Sequence, residues 1–354
     1  MSDQPERPGG FEAESSHRRG GVPWRGLRRL LAIGLAAVIV VAAFTVPIPM
    51  FAEFLPGPAR NVEGLVSIDG APTYSSEGGL YFTTVTVSLN VTFAEWVRSH
   101  FDSHSTVIMK RDLTGGLSLK ELQRQERQQM RMSKRRAEEV ALSQLGFGAP
   151  HGDGARVVDV LDGYPAARRL RRGDVIVKVD GAPVETSCDV GREVSRASIE
   201  QTLSMIVRRK ERTKTVVVRT VRNPLDDSSA FIGVRMQDVN YRYHPGVRVT
   251  IETGEVGGPS AGLMFALAIY DKLTPSDLTH GLRIAGTGSI ECDGDVGAIG
   301  GVEEKVAGAA QQGASVFLAP AENYSDAKSA APDGIEVVKV DSFKDAVGYL
   351  ESLD

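Results

Sequence analysis

The chain has 354 residues, of which 42% are hydrophobic and 24% charged, and a formal net charge of −4. That length holds two or three domain cores, and 38 Gly with 17 Pro are too few for a fibrous or disordered protein. The mildly negative balance, with no basic stripe interleaved with aromatics, argues against nucleic acid as a partner.

Residues 1–27 are polar, with Gly, Pro and Arg, and read as a disordered tail. No charged residue occurs from Leu30 to Ala52, so residues 28–50 are predicted as one transmembrane helix. Arg25, Arg28 and Arg29 precede this stretch and Glu53 is the first charge after it. The positive-inside rule then puts the tail in the cytoplasm and the rest of the chain outside the cytoplasmic membrane. A cleaved signal peptide has the same order of basic and apolar segments, but Pro47-Ile-Pro-Met-Phe-Ala is a weak cleavage site, which favours an anchor.

Residues 55–117 show strand-like alternation, clearest in Leu80-Tyr-Phe-Thr-Thr-Val-Thr-Val-Ser-Leu, and are expected to be a small β-containing region of unreadable function. Residues 118–145 are rich in Lys, Arg, Glu, Gln and Met with no Gly or Pro before position 146, and predict a helix with a solvated charged face. From Gly146 the pattern changes to a strand at Ala155, a Pro165-Ala-Ala turn, the run Gly173-Asp-Val-Ile-Val-Lys-Val-Asp-Gly181, a helix near 187–197 and a hairpin ending at Val221. In this order residues 146–224 resemble a PDZ domain of the bacterial type. PDZ domains hold a peptide C-terminus as an added strand with its carboxylate in a nest of amides. The resemblance implies a carboxylate loop at Leu145, Gly146, Phe147 and Gly148, and a groove helix carrying Val190 to Val194.

Residues 227–354 alternate strands with helices, an α/β layer pattern. Cys188 and Cys292 are the only cysteines, lie in different predicted domains and have no C-x-x-C or His-rich setting. Neither zinc nor another metal or cofactor is expected, and two free thiols are.

Gly258-Pro-Ser-Ala-Gly262 matches the G-x-S-x-G pattern of α/β-hydrolases, whose triad needs a later histidine. The sequence supplies only His280, close behind the expected helix that Ser260 opens, and it reads as a surface turn residue. An α/β-hydrolase esterase is therefore disfavoured. Pro259 and Ser260 at a helix start place free N–H groups and the helix dipole near the hydroxyl, where an oxyanion is stabilised. By itself this also describes a helix cap in a glycine-rich turn. In Val302-Glu-Glu-Lys-Val-Ala-Gly-Ala-Ala, positions 302, 305, 306, 309 and 310 share a helical face, which puts Lys305 on the apolar stripe, away from Glu303 and Glu304. Burial there lowers an amine's pKa towards that of a general base. A snorkelling or ion-paired lysine gives the same periodicity.

Gly-Pro-Ser-Ala-Gly, Gly286-Thr-Gly288 and Gly297-Ala-Ile-Gly-Gly-Val-Glu-Glu-Lys305 together resemble the proteolytic domain of the Lon proteases, over about 130 residues. The resemblance implies a Ser-Lys dyad at Ser260 and Lys305, Thr287 as a partner of the amine, and amides around Gly258, Pro259 and Ala261 as an oxyanion hole. It also implies a homo-oligomer, a hexamer in this family. Val256-Gly257-Gly258 stands where many Lon enzymes carry Lys-Asp-Gly, and the dipeptide Gly-Lys of a phosphate loop never occurs. The layout resembles membrane-anchored, PDZ-containing Lon-like proteases that work without ATP on peptides and unfolded or flexible proteins. The expected fold is thus an α/β (α+β) Lon-type domain preceded by a β-rich PDZ-like domain and one N-terminal transmembrane helix. A non-catalytic membrane adaptor that binds protein C-termini is the alternative.

Overall fold

A computed structural model describes residues 24–102, 104–224 and 226–353; the expected tail lies largely outside the described residues, before Trp24. Helix α1 spans Trp24–Thr45 and starts one turn earlier than the apolar run suggested. Its segment Gly26–Thr45 has a mean hydropathy of 2.2 and no buried share, so by length and composition it is fit to cross a membrane.

The chain continues through β1 (Phe51–Asn61), β2 (Val66–Asp69), β3 (Gly79–Ser88), α2 (Phe93–Ser99), β4 (Thr106–Met109), α3 (Lys110–Thr114) and α4 (Leu119–Gln144). Capping boxes start α2 at Thr92 with Glu95 and α4 at Ser118 with Glu121, each satisfying first-turn N–H groups. Next come β5 (Ala155–Val160), β6 (Val175–Val179), β7 (Ala182–Pro183), α5 (Ser187–Ser195), β8 (Thr202–Arg209), β9 (Arg212–Arg219), β10 (Val221–Asn223), β11 (Asp226–Phe231) and β12 (Val234–Asp238). The last stretch holds β13 (Arg248–Ile251), α6 (Gly262–Leu273), β14 (Arg283–Gly286), β15 (Ser289–Ile290), β16 (Val296–Gly297), α7 (Val302–Gln311), β17 (Val316–Pro320), α8 (Tyr324–Ala330), β18 (Glu336–Val340) and α9 (Phe343–Glu351).

The region expected at 55–117 is not a separate unit. Its strands complete a six-stranded sheet in the order β18-β17-β14-β3-β1-β4, with β3, β14, β17 and β18 parallel and β1 antiparallel to both neighbours. Strand β2 also pairs with β13, Val66 opposite Ile251. Side chains of period two feed both faces of the sheet. Ile284, Val316 and Leu318 join α4, α6 and α9 in one core, while Ala285, Phe317 and Ala319 join α7 and α8 in another. Helix α7 lies directly on the backbone of β1: a Cβ on Gly308 would sit 2.4 Å from the Gly57 carbonyl oxygen. A sequence pattern shows that β1 is a strand but not that its partner comes about 250 residues later.

The second unit is the sheet β12-β5-β6-β8-β9 with α5 against it, around Val157, Ile176, Val190, Leu203 and Met205. Asp174, almost wholly buried, receives two hydrogen bonds from the Arg209 guanidinium at 2.7 Å each, so its charge is paired and held below the usual carboxylate range. Strand β12 belongs to this sheet, pairing antiparallel with β5, so the unit extends past the expected boundary at 224.

Cys188 and Cys292 form a disulfide with Cα atoms 5.6 Å apart, joining the first turn of α5 to the β15–β16 turn. The expectation of two free thiols fails because the folded units meet here, and a sequence separation of 104 residues hid that meeting. Thiol titration should find none before reduction and two after it. Cys292→Ser should lower stability by about 2–5 kcal/mol in denaturant unfolding. Gly308→Val should cost about 1–3 kcal/mol by overpacking against backbone that has no side chain to move aside, read as a fall in Tm.

Candidate active site

The three motif residues converge at the carboxyl end of β14, where open α/β sheets present their ligand crevice. Ser260 sits in the turn before α6, on one side of the sheet, and Lys305 on α7, on the other. Thr287, the first residue after β14, lies between them and is fully buried.

Its hydroxyl connects both sides. Lys305 Nζ donates to Thr287 Oγ1 at 3.2 Å, and Thr287 Oγ1 donates to the Ser260 carbonyl oxygen at 3.1 Å. The Gly288 N–H donates to the same carbonyl at 2.8 Å, and the Leu263 N–H returns a bond to the Gly288 carbonyl. With the threonine hydrogen committed to Ser260, its oxygen is left as an acceptor, which matches the N–H that the Lys305 amine directs at it. Among the described residues no hydrogen bond joins Ser260 Oγ directly to Lys305 Nζ. The sequence-predicted trio is thus linked through the serine's backbone rather than its side chain.

Lys305 is 4% exposed. Burial pulls its amine from the ordinary 10.5 down to about 8, against the opposing pull of the Glu304 carboxylate. Glu304 itself departs from the expected solvent-facing position: it is buried, and its Oε1 has no hydrogen-bond partner among the described residues. Helix periodicity missed it because α7 is packed between β1 and α8 and buries more than one stripe.

The Ser260 turn is held from below by α4. Ser133 Oγ donates to the Pro259 carbonyl at 2.9 Å, and the Gly258 N–H donates to the Glu126 carbonyl at 3.1 Å. Gly258 adopts φ 85°, a left-handed conformation that glycine takes without strain. This corrects the expected oxyanion set: the Gly258 amide is already used and Pro259 has no N–H. The amides of Ser260 and Ala261 meet no backbone acceptor among the described residues. Helix α6 starts at Gly262, two residues later than expected, so Ser260 precedes the helix rather than opening it. His280 is exposed in a turn at φ 47°, away from this cluster.

The expected carboxylate loop is also corrected. The N–H groups of Leu145, Gly146 and Phe147 donate to the carbonyls of Ala141, Ser143 and Leu142, closing the C-terminus of α4, and Phe147 packs on the core of the six-stranded unit. Those amides are spent. Val190 and Val194 are core residues of the second unit rather than groove-lining ones. Among the described residues the strand beside α5 that pairs on one side only is β12, with Ser187 N–H bonded to Asp238, and β11 also packs against α5. It is preceded by Phe231-Ile232-Gly233, where Gly233 has φ 82° and a Cβ would meet Tyr164 at 2.2 Å. A glycine just ahead of an alternating run at 234–238 was the available signal.

Residues 123–220 match the PDZ domain family, and residues 235–349 match the Lon protease (S16) C-terminal proteolytic domain. The chain is 41% identical over 81 residues to a putative serine protease HhoA of Synechocystis, covering 22% of this chain and 21% of that protein. It is 35% identical over 96 residues to a Lon protease of Mesomycoplasma hyopneumoniae, covering 26% of this chain and 11% of that one. With Lon protease 2 of Bacillus subtilis it shares 37% over 94 residues, 26% of this chain and 16% of the relative. The chain therefore spans about a fifth or less of the length of these relatives. Residues 235–349 thus carry a Lon-type (S16) proteolytic domain and residues 123–220 a PDZ domain, side by side in one chain.

Proposed function

We propose that this protein is a membrane-anchored serine endopeptidase that works without ATP, with Ser260 as nucleophile and Lys305 as its general base. The observation that carries the reading is the buried Lys305 amine, lowered to about 8 and linked through Thr287 to the Ser260 backbone. A neutral amine that donates one N–H to Thr287 still has a lone pair for the serine proton. The reading requires a side-chain rotation of Ser260 that brings its hydroxyl to that lone pair.

In the first step Ser260 Oγ bonds to the scissile carbonyl carbon and its proton passes to Lys305 Nζ. The N–H groups of Ser260 and Ala261 stabilise the oxyanion. The C–N bond breaks as the Lys305 ammonium returns that proton to the leaving amine. Water then attacks the ester, gives its proton to Lys305, and Oγ recovers it as the acid product leaves. Thr287 is a positioning residue for the amine.

No stretch of these 354 residues has the phosphate-loop pattern, which supports ATP independence of this polypeptide and substrates that are already unfolded or flexible. Helix α1 and the Arg28–Arg29 pair at its start support an anchor with the proteolytic domain outside. Among the described residues β12 pairs on one side only, which supports peptide binding as an added strand, its carboxylate directed to the Phe231–Val234 segment.

Cleavage of casein and of fluorogenic peptides by the full chain in detergent tests this. Ser260→Ala and Lys305→Ala should each reduce kcat/KM by about 10³-fold or more. Equal turnover in all three proteins sinks the dyad, and binding of C-terminal peptides with no turnover favours the adaptor. Because the base must be neutral, the rate should rise with pH through a midpoint near 8 to a plateau about one unit higher, with about a tenth of the plateau rate at pH 7. Thr287→Val, which keeps the shape and removes the hydroxyl, should cost about 10²-fold through misplacement of the amine.

A further inference from the structure

We propose that a second element touches the lipid: the face formed by α2, the turn after it and the β1–β4 edge sits in the outer interfacial layer of the membrane. The proteolytic domain would then be seated on the bilayer rather than tethered above it. This rests on reading α1 as a membrane span.

The chain leaves α1 at Thr45 and is bound within a few residues to this face. Pro47 bridges Thr92, the Ile48 N–H donates to the Val91 carbonyl at 2.7 Å, and the Lys110 N–H donates to the Met50 carbonyl at 2.8 Å. Helix α2 also packs beside α1. Whatever α1 enters, α2 and the β4–α3 junction are held at its surface.

That surface is apolar where solvent would favour polar groups. Phe101 is 87% exposed, Met50 60%, Met109 55% and Phe93 50%. Phe93, Val97 and Phe101 recur every four residues and share one side of the helix and its following turn. Trp96 stacks on Phe93 at 5.8 Å and meets His100 edge-on. Lys110 and Arg111 follow Met109, placing cations next to the apolar group as at a headgroup layer. Aromatic side chains with a polar rim suit the membrane–water interface, and a patch continuous with a spanning helix has the bilayer as its nearest apolar partner.

The chain has two tryptophans, Trp24 at the start of α1 and Trp96 on α2, so each serves as a separate probe. Full-length Trp24→Phe and Trp96→Phe proteins are reconstituted into phosphatidylcholine–phosphatidylglycerol vesicles that carry a headgroup nitroxide or a brominated acyl chain. In the first variant Trp96 should be quenched by the headgroup label and protected from aqueous iodide. Adding Phe93→Asp and Phe101→Asp should cut the lipid quenching at least about two-fold, with peptide cleavage in detergent unchanged as the control for folding. Lipid quenching of Trp24 with Trp96 reached only by iodide overturns the seating and leaves the anchor intact. No lipid quenching of either tryptophan overturns the anchor and the seating together. Shielding of Trp96 from both quenchers overturns it in favour of contact with a second copy of the chain.

Discussion

The arrangement depends on one hydroxyl. Thr287 stands at the end of a parallel strand with a helix on either side of the sheet, and its oxygen is the atom through which the two helices communicate. Remove the hydroxyl and Lys305 Nζ loses the hydrogen bond recorded for it, in a place where a polar group without a partner costs about 1–3 kcal/mol. The Ser260 carbonyl would still hold the Gly288 N–H, so the turn would persist while the amine lost its direction. Fold and site are separable here: the backbone bond keeps the turn, and the side-chain bond aims the lysine.

That geometry requires a sheet wide enough to carry helices on both faces. β14 is central because β3 flanks it on one side and β17 on the other, and β3 comes from the segment that precedes the PDZ domain in sequence. The PDZ unit is therefore inserted, in chain order, between two parts of one sheet. Helix α4 runs from beneath the Ser260 turn towards that unit, and the Cys188–Cys292 bond fastens the unit's helix to the turn just beyond Thr287. Two links of different chemistry thus hold the PDZ domain against the proteolytic core.

What was legible in the sequence was local. Pro259 before a run of Leu, Met, Phe and Ala announces a helix, and Lys305 in register with Val302, Val306 and Ala309 announces a buried amine. The apolar run of α1 needs no partner to be recognised. What was not legible depends on contacts between distant segments. Glu304 is adjacent to Lys305 and looked solvated, because a helical wheel assumes one buried face, whereas α7 is enclosed by β1 and α8. The sequence pattern places the carboxylate loop beside the helix that precedes β5, yet those amides are consumed by helix termination, and the outer strand of the sheet, β12, lies beyond the expected domain boundary. Hydrogen-bond accounting decides such cases, since an amide that closes a helix is not also a ligand site.

The lysine's environment explains why its amine stops near 8. Full burial without compensation lowers a lysine by as much as about 3–5 units, to a value at which it would be neutral throughout the physiological range. Here one neighbour softens that: the Glu304 carboxylate favours the charged form, while the Thr287 oxygen fixes the direction of the amine. The result is an amine that stays mostly protonated at pH 7 yet gives up its proton within one unit above it, so both proton states lie within reach. Replacing Glu304 by a neutral side chain removes the charge that opposes desolvation and leaves burial unopposed, which moves the amine further down. The buried carboxylate without a hydrogen-bond partner, costly as a packing feature, is therefore intelligible as the group that keeps Lys305 able to carry a proton.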